Sequence, residues 1–459
     1  MPRISGFHGP LRVSTVNPRY FTDDSGVARY LTGSHTWATL LDVKTGDTAD
    51  FDYGAFLDMV AGHGHTFIRM WTWDHPETTP WTEKPVSFGP MPFARAGPGD
   101  AVDGKPRFDL SQWNQDYFDR LRERVSQAGQ RGLYVSVMLF EGWCLKWAIP
   151  DRDPWQSHPY NRNNNVNGVD GDPDNDGKAD VYGLVAPEVL HFQEGYVRKV
   201  LDTLNDLDNV LYEIINEIED TDRGVRWQYH MIDFIHAYEA TLPKQHPVGM
   251  TAEGFGQDNE ILFHSAAEWV SPGAGDDQAF LHDPPDTKGR KVVVTDTDHL
   301  WGHGGTYRWA WKSFLRGLNP IFMDPWGPLP GIDPEAAQSG PINSALNERD
   351  YPDWDPLRRS LGDTARFADR VDLLATTPRP DLASTGYCLA EPGTAYIVYV
   401  PEDSRVVVDL GGAPHPLAVE WYHPPTGKSQ AAPTVDGSGS RTFVSPFGLD
   451  SVLFLSHEH

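Results

Sequence analysis

Two short stretches carry carboxylates at the ends of apolar runs. In Asn209-Val-Leu-Tyr-Glu-Ile-Ile-Asn216-Glu217 the run closes on an Asn-Glu pair, and in Lys291-Val-Val-Val-Thr-Asp296-Thr-Asp298-His299-Leu-Trp301-Gly302 it closes on two aspartates. A carboxyl at the rim of a fold, partly desolvated among tryptophans, has its pKa raised and can act as a general acid. Two such groups facing each other are the minimum machinery for glycoside hydrolysis, and their separation decides whether configuration is retained or inverted. Strand side chains alternate faces, so Asp296 and Asp298 share one side if the strand continues. Taken alone, Asn-Glu is a common dipeptide and an aspartate often caps a loop. Their positions at strand ends give these residues their weight.

The remaining candidates are aromatic and polar clusters. The chain has 16 Trp and 17 Tyr, and several group with His, Asp or Arg, as in Ser34-His35-Thr36-Trp37, Phe67-Ile-Arg69-Met-Trp71-Thr-Trp73, Glu141-Gly-Trp143 and Asp324-Pro-Trp326. Rings that stack on sugar C–H faces beside polar groups for the hydroxyls suit a carbohydrate site; the alternative role for most tryptophans is core packing. His35, Trp37, Trp71, Trp73, Asn216, His299, Trp301 and Trp326 are candidate sugar contacts. Arg69 either meets substrate or orients the carboxylates by ion pairing, and Glu141 is a hydrogen-bond acceptor or a solvated loop residue. A separate run, Asp170-Gly-Asp172-Pro-Asp174-Asn-Asp176-Gly177-Lys-Ala-Asp180, sets oxygen ligands at every second residue with a glycine for the turn. It resembles a calcium loop, without the Glu that closes an EF-hand. Asp172, Asp174, Asp176 and Asp180 are the expected ligands of a structural calcium, against the alternative of a solvated acidic loop; no organic cofactor is called for.

The elements that must position these residues alternate between strand and helix. Strands are expected at 28–32, 66–71, 133–140, 210–215, 247–251, 268–271, 292–295 and 320–323, with amphipathic helical patterns between them at 50–63, 114–132, 187–207, 222–242 and 306–318. Eight βα units imply a TIM barrel, in which the site lies at the C-terminal ends of the strands. The clusters named above fall at those ends. A helix near 357–374 leads to short alternating strands from about residue 380, at 384–389, 395–400, 405–410, 417–422 and 451–456, which imply a small antiparallel β-sandwich. The expected division is 1–30 as strands capping the barrel, 31–378 as the barrel domain and 379–459 as the β-sandwich domain.

Composition narrows the partners. Lys+Arg 38 against Asp+Glu 65 gives a formal net charge of −27, a field that repels phosphate backbones and anionic lipid, so neither nucleic acid nor membrane is expected. Cys144 and Cys388 alone cannot build a disulfide framework. The opening MPRISGFHGP lacks the apolar stretch of a secretory leader, and the compartment stays open between cytoplasm and secretion with a leader removed. Oligomeric state is not legible.

On Tyr30-Leu-Thr-Gly-Ser-His35-Thr-Trp37, Phe67-Ile-Arg69-Met-Trp71, Asn216-Glu217, Thr295-Asp296-Thr-Asp298-His299 and the terminal β-domain, the chain resembles the retaining glycoside hydrolases of the large (β/α)8 cellulase-type clan, more narrowly the apiosidase-like or cellulase-like barrels with a C-terminal β-domain. The resemblance implies Glu217 as acid/base and a strand-seven carboxylate as nucleophile. That clan usually places Glu on strand seven. Thr295-Asp296 matches its Thr-Glu pairing better, which makes Asp296 the expected nucleophile and Asp298 a substrate-hydroxyl acceptor. Long loops after strands two and three suggest a pocket and exo-action; endo-acting cellulase or hemicellulase activity, and a non-catalytic carbohydrate-binding protein, are the alternatives.

Overall fold

The computed structural model describes residues 6–45, 50–218, 221–252, 258–275, 278–326, 354–411 and 416–457. Eight parallel strands close into a barrel: β1 (Gly33–His35), β2 (Phe67–Met70), β3 (Tyr134–Glu141), β4 (Val210–Asn216), β5 (Val248–Thr251), β6 (Trp269–Ser271), β7 (Val292–Asp296) and β8 (Asn319–Met323), with β8 pairing β1 to complete the ring. The TIM barrel read from the sequence is present. Helices Tyr53–Gly62, Gln115–Gln130, Pro187–Leu204, Asp222–Glu239 and Tyr307–Leu315 follow the expected amphipathic patterns within a few residues at each end.

The first strand is the exception. Instead of 28–32, the barrel ladder begins at Gly33, and Ala28–Arg29 belongs to a three-stranded antiparallel sheet with Arg12–Val13 and Phe21–Thr22. Side chains explain the displacement: the Leu31 N–H donates to Asn319 Oδ1 (3.1 Å) and the Thr32 N–H to Thr66 Oγ1 (3.0 Å), so these residues are satisfied outside the ladder. Gly33 then meets β2 where a Cβ would stand 2.0 Å from the Phe67 carbonyl oxygen, and only glycine permits that approach.

Alternation along the strands decides what enters the barrel. Leu31, Phe67, Tyr134, Leu211, Trp269, Val292, Val294 and Ile321 form an inner core, joined from the N-terminal sheet by Leu11 and Phe21. Two residues on from these inward positions stand Arg69, Glu213 and Asp296, so period-two alternation points the three toward the same interior.

The C-terminal part contains a six-stranded antiparallel sheet, including Cys388–Glu391, Ala395–Val400, Leu417–His423 and Ser451–His457, and a two-stranded sheet of Arg405–Asp409 with Ser440–Val444. Val406, Val408 and Phe443 of the small sheet share a core with Val398, Trp421 and Leu453 of the large one, as in a sandwich. Strands Lys428–Val435 and Ser440–Val444 carry mostly exposed side chains and gave little alternating apolar signal. The barrel hairpin Phe93–Asp100 with Pro106–Trp113 escaped sequence reading for the same reason. Among the described residues no helix is long and apolar enough to cross a membrane.

Candidate active site

Arg69 is the centre of the site. Its Nε and Nη2 donate to the two oxygens of Glu213 (2.8 and 2.5 Å), Nη2 also to Asn216 Oδ1 (2.7 Å), and Nη1 to Asp298 Oδ2 (2.7 Å) and Asp296 Oδ2 (3.3 Å). Five N–H donors thus make five hydrogen bonds, all to protein, which favours, of the two roles expected of Arg69, that of orienting the carboxylates over that of meeting substrate. Glu213 was not recognised from sequence. The available signal was a lone carboxylate inside an apolar strand, since a buried charge requires a partner and Arg69 is the matching lone cation in β2.

The two aspartates of β7 occupy different environments. Asp296 is 1% exposed, and its Oδ1 accepts from both His35 Nε2 (2.9 Å) and the Asp298 backbone N–H (2.9 Å). Burial opposes its ionisation, yet His35 and Arg69 outweigh burial and hold the carboxyl well below the usual range. Asp298 is 8% exposed; burial, with the Asp296 charge adding to it, raises its pKa to about 6 although Arg69 and His35 pull the other way. An oxygen of Asp298, an oxygen of Glu217 and a ring nitrogen of His299 lie within 4.8 Å of one another.

Glu217 follows the last residue of β4 with φ of 45°, a left-handed conformation that costs a non-glycine residue roughly 1–3 kcal/mol. Burial, and after it the Asp298 charge, pushes its pKa well above the usual value, while Lys146 and Arg69 act against them. His299 accepts from or donates to Ser271 Oγ (2.9 Å) through Nδ1 and faces Asn216 Oδ1 (3.4 Å) through Nε2, and burial pushes its pKa down to about 3.

The tryptophans divide. Trp37 is partly exposed, close to Trp71 (6.2 Å between ring centroids) and Trp81 (4.9 Å). Trp71 stacks on His35 at 5.8 Å and lies 5.0 Å from the Arg69 guanidinium, with its Nε1 unpartnered. Trp73 and Trp301 are core residues instead: Trp73 stacks on Phe88 at 4.7 Å and Trp301 packs edge-on to Trp309 at 5.3 Å, both 2% exposed or less. Neither ring presents a face to a sugar, which corrects that expectation. Trp326 is half-buried against Phe51 and Phe56. Glu141 is 1% exposed and accepts from the Trp143 and Cys144 backbone N–H groups (2.8 and 3.2 Å), so it is neither a solvated loop residue nor open to a sugar hydroxyl.

In the acidic loop, Asp172, Asp174 and Asp176 bring carboxylate oxygens within 4.8 Å of one another. Asp180 is engaged otherwise, in an ion pair with Arg223.

A family described as a domain of unknown function (DUF6298) matches residues 79–270. No curated protein matches the chain in sequence. Among solved structures, one titled "Glycoside hydrolase" aligns over 98% of this chain and 97% of its own at 13% identity and a TM-score of 0.61. A glycoside hydrolase family 5 protein from Bacteroides vulgatus aligns over 98% of this chain and 93% of its own, also at 13% identity and TM-score 0.61. At this identity the likeness is one of fold: the (β/α)8 architecture with its C-terminal β-domain is shared along nearly the whole length.

Proposed function

We propose that the chain is a glycoside hydrolase acting with retention of configuration, with Glu217 as acid/base and Asp298 as nucleophile. The observation that carries this reading is the Glu217–Asp298 approach within 4.8 Å at the C-terminal ends of β4 and β7. Retaining enzymes hold their carboxyl groups ~5–5.5 Å apart, whereas inverting ones leave ~6.5–9.5 Å for a water. Electrostatics favour the same division of labour. Burial, and after it the Asp298 charge, pushes the Glu217 pKa well above the usual value and so favours its acid form, whereas Asp298 is raised only to about 6.

This assignment exchanges the two aspartates relative to the sequence expectation. Asp296 is enclosed by His35, Arg69 and the Asp298 N–H, an arrangement that suits a positioning charge better than an attacking group. In the reaction Glu217 would protonate the departing glycosidic oxygen as Asp298 attacks the anomeric carbon, and Glu217 would then take a proton from the water that releases the sugar. Asn216 precedes Glu217 at the end of β4, and the long segments after β2 and β3 support an exo-acting pocket. The three clustered loop aspartates support a structural calcium ion held by Asp172, Asp174 and Asp176, with Asp180 outside the ligand set.

A panel of aryl α- and β-glycosides of pentoses, hexoses and furanoses identifies the sugar. Asp298→Gly is then expected to lose turnover and regain part of it with azide, yielding a glycosyl azide of inverted configuration, while Asp296→Gly is azide-insensitive. An azide product from the Asp296 variant alone would return the nucleophile role to Asp296. Inversion by the parent enzyme would reject the retaining mechanism, and sugar binding by calorimetry with no turnover of any glycoside would favour a non-catalytic carbohydrate-binding protein.

A further inference from the structure

A second set of ligating side chains meets beside the carboxylate pair, at the ends of β2 and β3. His75, Glu141 and Cys144 bring a ring nitrogen, a carboxylate oxygen and a sulfur within 4.8 Å of one another, and each residue is at most 1% exposed. A buried imidazole normally has both nitrogens engaged. The His75 ring is hydrogen-bonded to the Thr78 backbone, yet its Nε2 has no partner. An imidazole anchored on one side by backbone, with the other nitrogen free, has the arrangement of a metal-ligating histidine.

Glu141 is oriented in the same manner. Two backbone N–H groups of the turn into the short helix Trp143–Lys146 fix its carboxylate, and the second of them belongs to Cys144 itself. Around the trio stand apolar rings, with Phe88 4.9 Å and Trp73 6.2 Å from His75. A mixed N, O and S donor set in a ring-walled site disfavours calcium and magnesium, which take oxygen ligands, and matches zinc and its neighbours.

We propose that His75 Nε2, Glu141 and Cys144 Sγ bind a divalent transition-metal ion of the zinc class in tetrahedral geometry, with water in the fourth position. As the ion binds, the thiol proton of Cys144 and the proton of the Glu141 carboxyl leave to solvent, and no electron is transferred. Thiolate and carboxylate together balance the ion's two positive charges. The ion would tie the segment after β2 to the end of β3, fixing one wall of the mouth. The inference is independent of the hydrolase reading.

The test uses the full-length protein, dialysed against a chelator and titrated with Co²⁺ alone. Expected are saturation at one equivalent, visible bands of a tetrahedral ion, a near-ultraviolet thiolate-to-cobalt band, and bleaching of all of them by one equivalent of Zn²⁺. Cys144→Ser is expected to lose the near-ultraviolet band, and His75→Ala to weaken Co²⁺ binding by at least about tenfold, the lower end of what altering even an outer-sphere partner costs. Replacing Asp172, Asp174 and Asp176 with Asn together should leave the spectra unchanged. Absence of a thiolate band in the unmodified protein, or its survival in Cys144→Ser, would overturn the proposal, and neither outcome depends on glycosidase activity.

Discussion

Two buried acidic clusters stand side by side at the barrel mouth, and they are compensated in opposite ways. Around Arg69, three carboxylates and an amide share one guanidinium, and Asp296 is held ionised despite its burial. Around Glu141, burial and then the neighbouring Asp74 charge raise the pKa to about 8, and Asp74 itself is raised to about 7 by burial, relieved only by Tyr182 and the Glu141 backbone. At similar burial Asp296 is therefore pushed below the usual carboxylate range, whereas Glu141 and Asp74 are pushed above it. Whether a fixed cation is supplied makes the difference. The first cluster is complete within the protein's own side chains, and the second has the donors of a site that an external cation would complete.

The largest expected effect comes from removing the cation of the first cluster. Arg69→Met leaves Glu213, Asp296 and Asp298 buried without their common partner, and a loss of about 3–5 kcal/mol of stability is expected together with loss of turnover. Urea unfolding followed by circular dichroism checks the first, and the aryl-glycoside assay the second. An unfolding midpoint equal to the parent's would show that the cluster does not depend on Arg69.

Next in size is Glu217→Gln. Hydrolysis of glycosides with poor leaving groups should fall by about 10²–10⁴-fold, while substrates with activated aryl leaving groups lose much less, because a stable phenolate needs no proton to depart. Equal losses on both would remove Glu217 from the acid role.

A smaller effect sharpens the contrast between the aspartates. Asp298 must be ionised to attack, so kcat/KM should rise as pH increases through about 6 and fall again at higher pH as Glu217 loses its proton. The groups acting on Asp298 are Arg69 and His35, which lower its pKa, and Asp296, which raises it. Asp296→Asn should accordingly move the acidic limb to lower pH. A shift upward, or none, would separate that limb from Asp298.

The smallest change is expected at the acidic loop, where Asp174 and Asp176 are already exposed. Calcium at 100 times its dissociation constant would stabilise the fold by about 2.7 kcal/mol, read as a rise of a few degrees in melting temperature that EGTA reverses. Identical melting curves with calcium and with chelator would leave Asp172, Asp174 and Asp176 as a solvated acidic turn.

Much of this architecture was legible in the chain because periodicity is local. The strand expected at 133–140 and the helix expected at 114–132 announce themselves through apolar patterns spanning a few neighbouring residues, and the carboxylates of the site fall where the runs of β4 and β7 end. The hairpin Phe93–Asp100 with Pro106–Trp113 and the strand Lys428–Val435 were not legible, since their exposed faces leave no alternating apolar signal. Trp73 and Trp301 show the complementary difficulty: the residue type suits both a sugar face and a core, and only their surroundings distinguish the two.

By itself the sequence determined the order of βα units, the terminal β-domain and the delivery of Glu217, Asp296 and Asp298 to the ends of β4 and β7, because each follows from alternation within a single run. Tertiary structure alone decided which aspartate meets Glu217, that Arg69 serves Glu213 and both aspartates at once, and that His75 joins Glu141 and Cys144. These are distances across a closed barrel between residues far apart in the chain. Burial and charge act through that space, so neighbours in sequence such as Asp296 and Asp298 acquire opposite pKa shifts from partners that no local pattern records.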